Sequence, residues 1–140
     1  LGLRPEYYSS AMGRAYMAFC GDEERERRIA LMKRKYNLDD AEVRNFRSVL
    51  ERAREDGYVI RDPKTPPFRT TTVGLPLRDG DQVGAVISVS YFRTALRPRE
   101  VPEKVLEPVF GMIRKIEAAL AFMHGGQALP LDSDNLAMGF

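Results

Sequence analysis

From Ala11 to Cys20 the chain sets small and apolar residues (Ala11, Ala15, Ala18, Phe19) beside Met12 and Tyr16, the make-up of a short buried helix. Ser9 and Ser10 stand where its N-cap belongs, and Gly21 ends it. Asp22 is expected to cap a second helix that runs to about Tyr36. Asp22, Glu23 and Glu24 fill its first turn and Lys33, Arg34 and Lys35 its last, an order that complements the helix macrodipole. Its apolar positions, Ile29, Leu31 and Met32, are few, which places it on the surface. Asp39 and Asp40 open a third helix in which Val43, Phe46, Val49, Leu50 and Ala53 recur at three- and four-residue spacing, and Gly57 supplies the stop. Tyr58-Val59-Ile60 reads as a short strand, and Pro63, Pro66 and Pro67 make the next segment a loop.

Between Arg69 and Phe92 the period changes from helical to alternating, with Asp79-Gly80 at the centre of a hairpin turn. Thr71, Val73, Leu75 and Leu77 share one face of the first strand, and Thr70, Thr72, Gly74 and Pro76 the other. In the second strand Val83, Ala85, Ile87, Val89 and Tyr91 oppose Gly84, Val86, Ser88, Ser90 and Phe92. One face of the hairpin is therefore apolar and the other carries hydroxyls and glycines. From about Pro98 to Met123 the pattern is helical again, and Pro108 inside it means that the helix either begins there or is kinked. Residues 124–140 read as a tail after a domain that covers residues 1–123. Its Leu129, Leu131, Leu136, Met138 and Phe140 are more apolar than a solvated tail needs, so it is expected to dock on this chain or on a partner.

The 140 residues, 44% of them hydrophobic, amount to about one domain. The lone cysteine, Cys20, allows no internal disulfide and suits a reducing cytoplasm. Lys and Arg number 22 against 20 Asp and Glu, too balanced to mark a polyanion binder, and no apolar run is long enough for a membrane span. With one histidine, His124, and one cysteine, a His/Cys metal site within one chain is excluded by count. A catalytic triad would have to use His124, which neighbours two glycines. Phosphate-loop and dinucleotide signatures are absent. Neither enzyme chemistry nor a cofactor is expected.

Small-ligand features remain. Ser9 and Ser10 followed by Ala11, Met12 and Gly13 open a helix whose backbone N–H groups can meet an anion with little side chain in the way. Thr70, Thr72, Ser88 and Ser90, with Gly74 and Gly84, form either a concave floor of hydroxyls or the solvated side of an antiparallel sheet. Arg61, beside Asp62, is either a fork for a ligand carboxylate or a solvated surface charge.

The succession Ser10-Ala11-Met12-Gly13-Arg14-Ala15-Tyr16-Met17-Ala18-Phe19, then Asp22-Glu23-Glu24-Arg25, then Gly57-Tyr58, then Ile87-Ser88-Val89-Ser90 resembles the C-terminal effector-binding domain of IclR-family transcriptional regulators over about residues 5–121. Gly13 to Cys20 and Tyr91-Phe92-Arg93-Thr94-Ala95-Leu96-Arg97-Pro98 are similar to the branch that responds to aromatic acids of the 3-hydroxyphenylpropionate type. The resemblance implies a GAF-like α/β (α+β) domain, an antiparallel sheet flanked by helices, that binds a small organic acid and reports to an N-terminal winged helix-turn-helix. It also implies dimers or tetramers, and pocket residues at Ala11, Met12, Gly13, Thr72, Ser88 and Ser90. That shifts the hydroxyl face toward a pocket. Many members have an acid where this chain has Arg61, which is therefore expected to pair with the carboxylate of a larger aromatic acid. The family's DNA-binding domain and the first strands of its effector domain precede the segment that starts near Pro5. This fragment alone is accordingly not expected to bind operator DNA, and an exposed sheet edge would invite another molecule. The competing expectation is a non-catalytic α/β interaction or oligomerisation domain with no small-molecule ligand.

Overall fold

A computed structural model describes residues 7–125. The expected tail from Gly126 onward, with its apolar positions, and the first six residues lie outside the described residues.

Three helices come first: α1 (Ala11–Phe19), α2 (Asp22–Lys35) and α3 (Asp40–Asp56). Ser10 caps α1, its Oγ accepting from the Gly13 N–H at 3.0 Å. Gly21, not Asp22, holds the cap position of α2; Asp22 is its first residue and pairs with Arg25 at 2.6 Å. At α3 a capping box forms, with the Glu42 N–H donating to Asp39 and the Asp39 N–H donating to Glu42, each at 2.8 Å. Gly57 ends α3 at φ 83°, a left-handed conformation that glycine adopts without strain.

The sheet follows, with β1 (Val59–Ile60), β2 (Thr70–Asp79) and β3 (Gln82–Phe92) antiparallel in the order β1-β2-β3. The turn is centred one residue later than the pattern predicts: Asp79 pairs with Gln82, and Gly80 takes φ 61° at the first central position. A bulge between Leu77 and Arg78 leaves Gly84 without a partner, since Leu77 faces Ala85 and Arg78 faces Val83. Val83 thus moves to the opposite face from Ala85, which corrects the expectation that the two share one.

Helical structure resumes at Pro98–Glu100 as a 3₁₀ turn, widens to a π turn over Pro102–Leu106, and becomes α4 (Glu107–His124). Pro108 has no N–H to donate back along the helix. The chain accommodates it within the first turn of α4, and the Glu107 N–H closes the preceding π turn onto the Pro102 carbonyl. Both sequence alternatives for Pro108 are partly right, because the α-helix starts there and yet continues an existing helical run.

Helices cover both faces of the sheet. Val73 and Leu75 pack on Val105, Leu106 and Ile113, with Ile87, Val89 and Tyr91 around them. On the other side α1 brings Ala15, Met17 and Ala18 against Phe46, Leu50 and Ala53 of α3, Ile29 and Met32 of α2, and Val59 of β1. Despite its polarity, α2 is tied in by Arg25, whose guanidinium donates to the carbonyls of Met17 (2.8 Å), Ala18 (3.0 Å) and Cys20 (2.6 Å). A buried cation thereby satisfies the open carbonyls at the negative end of α1.

Candidate functional site

The hydroxyl face and the start of α1 meet at Gly74. A Cβ on Gly74 would lie 2.4 Å from the Ala11 carbonyl oxygen and 3.2 Å from the Ala15 Cβ, so only glycine lets the helix sit this close to the strand. Ser88 is the cross-strand partner of Gly74, and Thr72 is that of Ser90. The Thr72 and Ser90 hydroxyls hydrogen-bond at 2.7 Å. Ala11 is buried against the strand, whereas Met12 beside it is 45% exposed. Ser88 and Ser90 are exposed and Thr72 is half-buried. The result is an open shelf whose back is the first turn of α1 and whose floor is a row of hydroxyls.

The expected residues therefore come together in part. Ala11, Met12, Thr72, Ser88 and Ser90 border the shelf. Gly13 is buried, and its N–H is engaged by Ser10 Oγ, so its backbone is the helix cap and not a free anion donor. Arg61 lies next to the shelf, its N–H donating to the Thr72 carbonyl at 2.9 Å, but its guanidinium turns away. It donates to the carbonyls of Thr65, Pro67 (2.6 Å) and Thr70 (2.8 Å), and its Nε is buried with no hydrogen-bond partner among the described residues. Arg61 ties the loop after β1 to the start of β2. With both Nη atoms engaged by loop oxygens, the donor of Arg61 left for a ligand is its buried Nε.

Arg14 supports the shelf from beneath. It is buried, donates to the carbonyls of Tyr8 at 2.7 Å and Ile60 at 3.3 Å, and pairs with Asp62 at 3.4 Å. Burial lowers its pKa, an effect that the charge of Asp62 partly offsets. The Asp62 N–H in turn donates to the Ser9 carbonyl at 2.9 Å. The entry to α1 is thus bolted to the end of β1. The sequence hint of Arg14 was a cation among small and apolar helix residues, a place where a charge must find partners.

Burial raises the pKa of the Cys20 thiol, which is the environment of an inert cysteine. His124 ends α4 and meets Asp79 at 2.9 Å at the hairpin turn, remote from the shelf. Among the described residues no group of His, Cys, Asp and Glu is arranged to hold a metal ion, and no helix is long and apolar enough to cross a membrane.

A helix start seated on a glycine of an antiparallel sheet, with helices on both faces, defines a mixed α+β domain, and comparison with known proteins gives its class. Residues 1–120 match the family model described as the bacterial transcriptional regulator IclR C-terminal domain, and the chain belongs to that family. Among solved structures, the Thermotoga maritima IclR is 20% identical with a TM-score of 0.67, over 86% of this chain and 49% of its own. The C-terminal domain of Escherichia coli KdgR is 19% identical at TM-score 0.62, over 86% and 74%. The Acinetobacter PobR inducer-binding domain, a double mutant in complex with 3-hydroxybenzoic acid, is 14% identical at TM-score 0.65, over 84% and 68%. At such identities the likeness concerns the fold. The chain spans about half the length of the longer regulators it matches. No curated protein matches it.

Proposed function

We propose that this domain is the sensing part of a DNA-binding regulator and that it binds a small carboxylic acid of the aromatic class. Ala11, Met12 and the Ser10–Gly13 cap form the back of the site. Thr72, Ser88 and Ser90 hold oxygen substituents of the ligand, and Arg61 keeps the neighbouring loop in place. Occupation favours one arrangement of domains or subunits in a homodimer or tetramer, and an attached winged helix-turn-helix converts that arrangement into operator affinity. The observation that carries the proposal is the seating of α1 on Gly74, which brings a helix start and three hydroxyl side chains to one surface. The hydroxybenzoate held by the PobR domain supports the aromatic class.

The test is thermal shift of the full chain against hydroxylated benzoic, cinnamic and phenylpropionic acids. At least one acid is expected to raise the midpoint, and Ser88→Leu, which fills the exposed shelf, is expected to abolish the shift. Silence across the series from folded protein would refute ligand sensing and leave the interaction-domain alternative.

A further inference from the structure

β3 is an outer strand of the sheet, paired with β2 on one side and with no strand on the other among the described residues. The Arg93 N–H donates to the Arg69 carbonyl at 2.9 Å, which fixes the phase of the ladder. Bonded and non-bonded pairs alternate from there, so Tyr91, Val89, Ile87 and Ala85 direct their backbone groups at β2, opposite Thr71, Val73, Leu75 and Leu77. Val86, Ser88 and Ser90 turn theirs outward. Two further details agree with this phase. Val86 stands opposite Pro76, which has no N–H to give, and the Thr72 carbonyl, opposite Ser90, points away from β3 to accept the Arg61 N–H. The outward row ends at Phe92, whose carbonyl accepts from the Ala95 N–H at 3.0 Å.

Such an edge is a template for another strand unless charge, proline or a covering element blocks it. From Gln82 to Phe92 there is no Lys, Arg, Asp, Glu or Pro. Ser88 and Ser90 are exposed, so no described helix stands over the edge there. The bulge at Gly84 disturbs only the turn end of the strand.

The two ends of β3 differ in charge, which selects the direction of a partner strand. Arg69 and Arg93 line a cleft at the open end of the hairpin with no acid, whereas Glu23, Glu24 and Asp81 line a cleft at the turn together with Arg27. A parallel strand from a second copy would set arginines beside arginines; an antiparallel one sets each open end beside the other copy's turn. We infer that two copies of this chain pair antiparallel along β3 about a two-fold axis at Ser88. Val86 then exchanges hydrogen bonds with the partner's Ser90, and Ser88 with the partner's Ser88, so that the two sheets become one. The axis passes through an uncharged side chain. Phe92, 62% exposed, comes to lie opposite the partner's Gly84, which has no side chain to obstruct it. Because cross-strand neighbours share a face, the partner's β3 also walls the open side of the shelf. The pairing itself needs no ligand, so its failure leaves the sensing function standing.

Sedimentation of the full chain and amide hydrogen exchange followed residue by residue by NMR test the inference. The wild-type chain should sediment as a dimer, and the amides of Val86 and Ser90 should exchange as slowly as those of Ile87 and Val89. Ser88→Lys sets two charges against each other on the axis and should give a monomer. In it the Val86 and Ser90 amides should exchange at least about tenfold faster while those of Ile87 and Val89 stay protected, which also shows the fold intact. Ser88→Thr leaves the edge uncharged and should remain a dimer. A wild-type monomer overturns the inference, as does a Ser88→Lys dimer. Slow Val86 and Ser90 amides in a monomer, the mark of an edge covered by the chain's own segment, overturn it equally. The wild-type readings decide the matter even where Ser88→Lys fails to fold.

Discussion

At Gly74 a single missing carbon decides how close a helix can come to a sheet. Gly74→Ala would place its Cβ 2.4 Å from a backbone oxygen that cannot rotate away, so α1 must lift off the strand. A loss of about 1–3 kcal/mol or more is expected by urea denaturation, together with a weakened response to any acid that binds the wild-type chain. The alternation of Thr72, Gly74, Ser88 and Ser90 showed which residues share this face, because strand periodicity is local. Nothing local showed what Arg61 would do. An arginine after a strand reads equally well as a ligand fork or a loop tie, and the choice lies with carbonyls up to nine residues away, presented by a loop whose path the sequence does not disclose. Gly13 differs: the serine cap three residues before it was legible, yet the N–H read from the sequence as open to an anion is the one that cap holds.

Among whole elements, the helices and the hairpin were legible because caps, macrodipole ordering and hydrophobic period all agreed, as at Asp39, Glu42 and Gly57 of α3. The bulge was not. Val83, Ala85 and Ile87 continue an unbroken alternation, and the slip at Gly84 shows only when β3 is laid against β2. Its effect is to put Val83 on the α1 side opposite Arg78, whose guanidinium lies 5.6 Å from the centre of the Phe19 ring. The join between α1 and α2 was also hidden, since Arg25 stands in the mixed-charge stretch from Asp22 to Arg28 and is distinguished only by reaching three carbonyls at the end of α1. Arg25→Met keeps the packing volume and leaves those carbonyls unsatisfied. The expected cost is about 3 kcal/mol, measured as a lower midpoint in chemical denaturation with little change in slope.

For the molecule as a whole, acid should act through its exposed ion pairs. Glu24, Glu26, Asp40 and Glu100 are each held below the ordinary carboxylate range by a hydrogen bond from Arg28, Arg47, Lys33 and Lys104 respectively. A lowered folded-state pKa gives stability that is complete above the unfolded value and is lost as pH falls through the folded one. Thermal midpoints should therefore be level from about pH 7 to 5 and decline below about pH 4, with a shallower decline in 1 M salt because exposed pairs are screened. The sorting of charge along the hairpin adds something that a formal charge of +2 conceals. Glu23, Glu24 and Asp81 line a cleft beside the turn together with Arg27, whereas Arg69 and Arg93 occupy the far end with no acid among the residues lining it. Among the described residues, the hairpin accordingly carries unbalanced positive charge at its open end and mixed charge at its turn. The domain should orient before it touches a charged surface, and a cation-exchange resin should hold it, arginine end first, more firmly than a protein of the same net charge spread evenly.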